Sequence, residues 1–147
     1  MAETVDIQAF QYEGSNPAVQ ALATPQSSGT TVSGPAKIAQ RYATSLLTVK
    51  GSVPYLPKLG SAFMNRLKYG GVANENDVLV AFASAQTDVA PYMRSLQSDS
   101  DPTDEQFVRA ALTQIRVAFG FVTLAVQVFT ADGSSTVILL PLVFHVQ

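Results

Sequence analysis

The sequence predicts an α+β domain: about three helices, then a C-terminal three-stranded antiparallel meander, with an extended N-terminal arm in front. Three observations carry this expectation. Residues 109 to 146 alternate or run apolar at strand period, broken by an Asp-Gly pair. Residues 35 to 96 place apolar side chains at helical spacing between Gly and Pro punctuation. Residues 13 to 33 are rich in Ser, Thr, Gly, Pro and Ala and show no period at all. The division expected is an arm over 1–34 and a single domain over 35–147.

Thr4 to Tyr12 alternate weakly, enough for a short strand. The stretch from Glu13 to Ser33 is long for a structureless loop within a compact domain, so it reads as an arm that orders on a partner. Ser33-Gly34-Pro35 marks a helix start, because proline is tolerated in the first turn. Ile38, Tyr42, Ser45 and Leu46 then share one face, and the helix ends near Leu47-Thr48. Gly51, Pro54, Pro57 and Gly60 forbid continuation and shape a loop over 49–60. Val53, Tyr55, Leu56 and Leu59 make that loop apolar, which places it against the core.

Ser61 suits the N-cap of a short helix from Ala62 to Tyr69, with Phe63 and Leu67 inward, Arg66 and Lys68 in the last turn and Gly70-Gly71 as the stop. A longer helix starts at Asn74 or Asn76, and Val78, Phe82, Ala85 and Val89 form its stripe. Pro91 kinks or ends it, with a further turn through Met93 and Leu96. Thr103 to Gln106 has the makings of another cap. Beyond it Ala111, Thr113, Ile115 and Val117 alternate with Leu112, Gln114, Arg116 and Ala118, so a strand is expected at about 109–118.

Phe121–Thr130 and Ser135–Val146 come next as two apolar runs joined by Ala131-Asp132-Gly133-Ser134. Asp-Gly at that place is a hairpin turn signal, since glycine accepts positive φ. Both faces of the hairpin are apolar, so cover is needed on each. Pro141 confines the last strand to an edge or a bulge, because it has no amide hydrogen to donate. An uncharged apolar edge is hazardous if left open, and pairing with a strand from another chain is the expected resolution. The expected partner-binding residues are therefore Val137, Leu139, Pro141, Val143 and His145 on the strand, with Val53, Tyr55 and Leu56 on the loop.

Composition narrows the function classes. The 147 residues are 47% hydrophobic and only 14% charged, which suits a subunit that hides surface in an assembly. No cysteine is present, which excludes disulfides and thiolate metal sites, and one histidine, His145, excludes a histidine cluster. No cofactor and no metal are expected. The longest uncharged stretches are broken by Gly120, Gln127, Gly133 and Pro141, short of the roughly 20 apolar residues a membrane span needs. The N-terminus does not read as a signal peptide, so a protein made in the cytoplasm is expected. Basic residues in 14–74 (Lys37, Arg41, Lys50, Lys58, Arg66, Lys68) face an acidic remainder, but they are too sparse for nucleic-acid binding.

Two acidic pairs, Glu75 with Asp77 and Asp104 with Glu105, are the only candidates for carboxylate catalysis. Glycoside hydrolysis needs two carboxyls about 5 to 9.5 Å apart across a cleft. Both pairs stand at expected helix starts, where acids stabilise the dipole. Arg41, Arg66 and Arg109 are read as surface ion pairs. No nucleophile elbow, phosphate loop or dinucleotide fingerprint occurs. Nothing in the sequence calls for an enzyme.

Ser45-Leu46-Leu47-Thr48-Val49-Lys50-Gly51, with Pro54, Pro57, Leu59 and Gly60 after it, resembles the small baseplate wedge subunits of contractile phage tails. That family includes the sheath initiators and was once called tail lysozymes. Its pattern is a helix ending in a Leu-Leu-Thr-like run, a Gly, two Pro residues and Phe/Leu-Gly. The resemblance spans roughly 36–147 and is specific over Leu46–Leu67. Ser52 stands where an acid often succeeds the first Gly. The family's Glu-Pro-Arg triplet is absent, the nearest counterpart being Glu105 to Arg109. The resemblance implies a virion structural protein at the tail baseplate, assembled in the host cytoplasm. Its implied partners are wedge proteins, the sheath protein and the tail tube, with C-terminal strands that start the sheath by β-augmentation. The alternatives are a ring-forming tail completion or tube-associated subunit, and a peptidoglycan-cleaving enzyme using Glu75, Asp104 or Glu105.

Overall fold

The computed structural model describes residues 6–7, 11–12, 19–21, 31–70, 74–118 and 121–143, the strands before residue 33 by their backbone alone. Three helices, α1 (Pro35–Leu47), α2 (Phe63–Tyr69) and α3 (Glu75–Ser95), precede three long strands, β5 (Phe107–Ala118), β6 (Phe121–Thr130) and β7 (Ser135–Val143). The α+β class and the meander are as the sequence predicts. Four short strands lie in the arm: β1 (Asp6–Ile7), β2 (Gln11–Tyr12), β3 (Val19–Ala21) and β4 (Thr31–Val32). β1 pairs with β4, while β2 and β3 extend the main sheet to the order β2-β3-β7-β6-β5.

Helix α1 starts where Gly34 takes φ 69°, a left-handed value that glycine accepts without a Cβ penalty, with Pro35 in the first turn. It contacts β6, β7, α2 and α3 and is buried on more than one stripe. Lys37, Ala39, Gln40 and Ala43 are buried beside the expected Ile38, Tyr42, Ser45 and Leu46. Ser61 links its end to α2: the hydroxyl accepts from Phe63 N–H at 3.2 Å and donates to Leu46 O at 2.9 Å. Helix α3 opens on a capping box in which Asn74 and Asp77 satisfy each other's amides. Val78, Phe82, Ala85 and Val89 are its buried stripe, and Pro91 sits inside without ending it, so Met93 is buried too.

The strand after α3 differs from a plain alternation. Thr103–Glu105 form a single 3-10 turn, not the cap of a fourth helix, and the strand starts at Phe107. Its pairing with β6 slips between Phe107 and Arg109 and again between Leu112 and Gln114. Each slip is a β-bulge, one extra residue that reverses the facing of the residues beyond it. Ala110 and Leu112 therefore share the core side with Ile115 and Val117, while the expected set of Ala111, Thr113, Ile115 and Val117 does not hold. At the second bulge the Thr113 hydroxyl donates to Ala125 O at 3.0 Å.

The hairpin closes as its Asp-Gly pair indicates, with Gly133 at φ 88°. The Asp132 carboxylate accepts from the Thr130 hydroxyl (2.6 Å), Ser134 N–H (3.0 Å) and the Ser134 hydroxyl (2.8 Å), and these bonds hold it below the ordinary aspartate range. Val122, Leu124, Val126 and Val128 of β6 and Ile138, Leu140 and Leu142 of β7 meet the helices in one core. Tyr42 stacks on Phe107 at 5.7 Å between ring centres, and Phe63 meets Phe82 edge-on.

A buried ion pair sits at the root of this core. Lys37 Nζ lies 2.7 Å from Glu105 Oε2, both side chains almost fully enclosed, and Gly34 N–H donates to Glu105 Oε1 at 3.1 Å. The acid expected to be a solvated cap is therefore an interior partner. Removing one member of such a pair strands the other charge in a dry site, at a cost of about 3–5 kcal/mol. Glu105→Ala is expected to lose that much in urea denaturation, and the double substitution Lys37→Met/Glu105→Leu to recover most of it. A small loss in the single variant, or no recovery in the double, contradicts the role given to the pair.

Burial also pushes the Tyr42 hydroxyl well above the ordinary tyrosine range, and it donates to Gln86 Oε1 at 2.6 Å. A group whose folded value is raised contributes stability that is full below its unfolded value. That contribution falls as pH rises further, because the unfolded chain releases its proton first. Melting temperature should drop steadily above about pH 10, and less steeply in Tyr42→Phe. Equal slopes in the two proteins would assign the alkaline loss to other groups.

Candidate functional site: an edge strand and an open sheet face

Hydrogen-bond parity decides what β7 presents outward. Thr130 N–H donates to Ser134 O, and bonded and non-bonded pairs alternate from there along the hairpin. Residues 135, 137, 139, 141 and 143 fall at the non-bonded pairs with β6, so their amides and carbonyls point to the sheet's other side. Val137, Leu139, Pro141 and Val143, chosen from sequence, thus form one outward row. His145 lies outside the described residues.

That row is not wholly open. β3 pairs in parallel with β7, Val19 opposite Val137, Gln20 opposite Ile138 and Ala21 opposite Leu139. The expectation that another protein completes this edge is corrected for Val137–Leu139, where the chain's own arm does so. The physical reason is tethering: a strand on the same chain acts at an effective concentration on the order of millimolar. Past Leu139 the row continues through Pro141, whose missing N–H leaves a carbonyl and no donor. Pro141 is exposed and pairs with Thr123 with no register slip, so it does not sit at a bulge, and no strand pairs with its outer side among the described residues. A proline there is itself a device against open-ended strand addition.

The helices cover one face of the sheet. The other carries Arg109, Ala111, Gln114 and Arg116 from β5, Phe121, Thr123, Ala125, Gln127 and Phe129 from β6, and Ser135, Val137, Leu139 and Pro141 from β7. Phe121 is 52% exposed. The Arg109 guanidinium lies 3.8 Å from the Phe129 ring centre, a cation–π contact that shields that ring. No acid stands on this face among the described residues. Sequence reasoning expected both hairpin faces to be covered and named Val137, Leu139 and Pro141 as partner-binding for their place on the strand, but no residue of β5 or β6. The apolar members at every second position were the available signal.

The loop residues part company with the strand. Tyr55 is 92% exposed and Leu56 is exposed as well, while Val53 is partly buried. The expectation that this loop packs on the core is overturned at its tip. Tight turns explain it: Ser52 N–H donates to Val49 O, Leu56 N–H to Val53 O and Leu59 N–H to Leu56 O. Its stem is held by Ser61 N–H to Thr48 O and Lys50 N–H to Ser61 O, so the tip projects.

The acidic candidates have structural tasks. Glu105 holds Lys37 and Gly34 N–H, and Asp77 closes the α3 capping box beside Glu75 in the first turn. Asp104 lies next to Gly34, where a Cβ would meet its Oδ2 at 3.4 Å. Among the expected ion-pairing arginines, Arg109 stacks on Phe129 instead, while Lys50 pairs with Asp88 at 3.0 Å. Among the described residues, no group of three or more His, Asp or Glu is gathered as a metal site. None of their helices is long and apolar enough to cross a membrane. The chain matches no family model, no curated protein and no solved structure.

Gly60 fixes the loop stem. It takes φ 106°, and a Cβ there would lie 2.6 Å from Thr48 O and 2.8 Å from Lys50 N. Both obstacles are backbone and cannot swing away. Gly60→Ala should therefore destabilise by about 1–3 kcal/mol, whereas Tyr55→Ala should stay within about 0.5 kcal/mol of the parent. Chemical denaturation of the two variants checks this, and a large loss from Tyr55→Ala would mean that the tip packs after all.

Proposed function

We propose that this chain is a structural, non-enzymatic subunit of a contractile phage tail, a baseplate wedge component around the tube that starts the sheath. The observation that carries the reading is the outward row of β7. It is apolar, uncharged, and already engaged by an added strand at Val137–Leu139. Strand addition suits an assembly joint, because main-chain bonds supply affinity and the alternating side chains supply register. The resemblance over Leu46 to Leu67 supports the same reading from sequence, and its exposed tip at Tyr55 and Leu56 offers a second contact, to the wedge. The sheath strand in this proposal takes the place of β3 and extends past it along β7.

The arrangement dictates the test. Deleting β7 would remove Ile138, Leu140 and Leu142 from the core, so the edge must be probed with the hairpin intact. Gln20 stands opposite Ile138, between the outward-facing Val137 and Leu139, and a proline there removes the central donor of β3. Binding of the sheath protein encoded in the same genome is measured with the parent chain and with Gln20→Pro. The expected result is binding by the parent and about tenfold tighter binding by the variant, equivalent to about 1.4 kcal/mol of competition removed. No sheath binding by either protein would reject the assignment.

A further inference from the structure

We infer that the outer edge of β5, past Ala110, docks an extended strand of another protein that sets an acid opposite Arg116 between apolar neighbours. The inference goes beyond the baseplate reading, since this edge lies at the other end of the sheet and shares no residue with β7.

β5 is the last strand in the order β2-β3-β7-β6-β5, and among the described residues no strand pairs with its outer side. Hydrogen-bond parity shows what that side presents. Odd-numbered residues of β6 fall at non-bonded pairs with β7, so their main-chain groups turn to β5. Ala110, Leu112, Ile115 and Val117 pair with the even-numbered Val128, Val126, Leu124 and Val122. Their amides and carbonyls therefore point away from the sheet.

Helix α3 closes the first part of this edge. Gln97 accepts from Phe107 N–H at 2.7 Å, Arg94 donates to Val108 O at 3.0 Å and Gln86 donates to Ala110 O at 2.8 Å. These side chains make the bonds that a neighbouring strand would make. The same face of the helix continues to Leu79, seven residues or about two turns before Gln86. Leu79 is 47% exposed and its side chain has nothing to donate or accept. The polar row thus stops at Ala110, and Leu112, Ile115 and Val117 lie beyond it, only partly buried.

Arg116 selects the occupant. It is exposed on the face away from the helices and forms no ion pair among the described residues. A second copy could pair antiparallel through the groups of both Ile115 and Val117. That register sets Arg116 directly opposite its counterpart, at a non-bonded pair where side chains come closest, and like charges there are destabilising. A partner strand with Glu or Asp at that place gains an opposite-charge pair instead. The residues flanking its acid stand opposite Ile115 and Val117, on the side of Leu79, where apolar side chains are covered. Main-chain bonds supply affinity and this pattern supplies specificity, the repulsive element being the arginine that refuses a copy of itself.

Nuclear magnetic resonance of the isotope-labelled full-length chain tests the edge. The probes are two short synthetic peptides in which valine alternates with threonine, with glutamate at the central polar position of one and lysine in the other. The glutamate peptide should bind at least about tenfold more tightly. Its binding should slow hydrogen exchange at the Ile115 and Val117 amides and leave those of Gln114 and Arg116, which face β6, unchanged. Arg116→Glu should reverse the order of the two peptides. Leu79→Gln should weaken both, because it removes apolar cover and adds no charge. Circular dichroism confirms that each variant is folded. No binding of the glutamate peptide at about 1 mM overturns the inference. Equal affinity for the two peptides, an order that survives Arg116→Glu, or protection of other amides does the same. So does protection of Ile115 and Val117 that grows with protein concentration in the absence of peptide, which would make a second copy the occupant. Failure here leaves sheath binding by β7 untouched, since the Gln20→Pro test reads the opposite end of the sheet.

Discussion

The Lys37–Glu105 pair is the constraint on which the rest of the structure depends. It joins residues 68 positions apart in sequence, and it does so in a site with almost no solvent. Desolvating both charges costs several kcal/mol per ion, so the pair holds only if its geometry is good and its remaining hydrogen bonds are made. The Gly34 amide supplies one of those bonds, which ties the place where the arm leaves the domain to the same carboxylate. Three things are thereby fixed together: the start of α1, the 3-10 turn that precedes the sheet, and the exit direction of the arm. Apolar packing alone would leave α1 free to slide or rotate on the sheet, because aliphatic contacts do not discriminate among registers. A buried charge placed against a specific partner does.

Much of this architecture was legible in the sequence, and the reasons are local. Pro35, the Gly70 stop, Asn74 and Asp132-Gly133 each impose or terminate a backbone conformation by their own chemistry, and the structure places element boundaries beside all of them. The features that were not legible depend on partners distant in the chain. Glu105 reads as a helix-start acid until Lys37 is found beside it. Thr113 reads as one face of a regular strand until the bulge opposite Ala125 turns it aside, and no residue type announces a bulge as Asp-Gly announces a turn. The outward row of β7 lies between these cases. Pro141 indicated an edge strand, yet β7 lies between β3 and β6, and the strand that meets Val137–Leu139 comes from a segment whose composition looks like loop.

The loop after α1 shows why apolar composition is a poor guide to burial when turns dominate. Val53, Tyr55, Leu56 and Leu59 argue for packing, since free loops rarely carry so many apolar side chains. Prolines at 54 and 57 fix φ, and three successive turns consume the backbone bonds, so the chain has no freedom to fold its tip inward. At the tip, Tyr55 and Leu56 then remain exposed, while Val53 and Leu59 are partly buried. A residue's environment is set by what the backbone permits first and by hydropathy second.

The hairpin's two outward features, its edge and its face, obey different physics and so need not share an occupant. The edge of β7 offers directional main-chain groups, interrupted at Pro141, and among the described residues β3 occupies three of its positions. A tethered strand of that length protects the edge in the isolated chain by being always present. A partner strand that spans 137 to 143 would make more bonds and displace it, but only when presented at a concentration that exceeds the tether's advantage, on the order of millimolar. Assembly sites reach that condition, since neighbouring subunits present their strands within the same small volume, and dilute solution does not. The pairing of β3 and the proline beyond it act together in the structure: one supplies a strand at Val137–Leu139 and the other removes a donor at position 141.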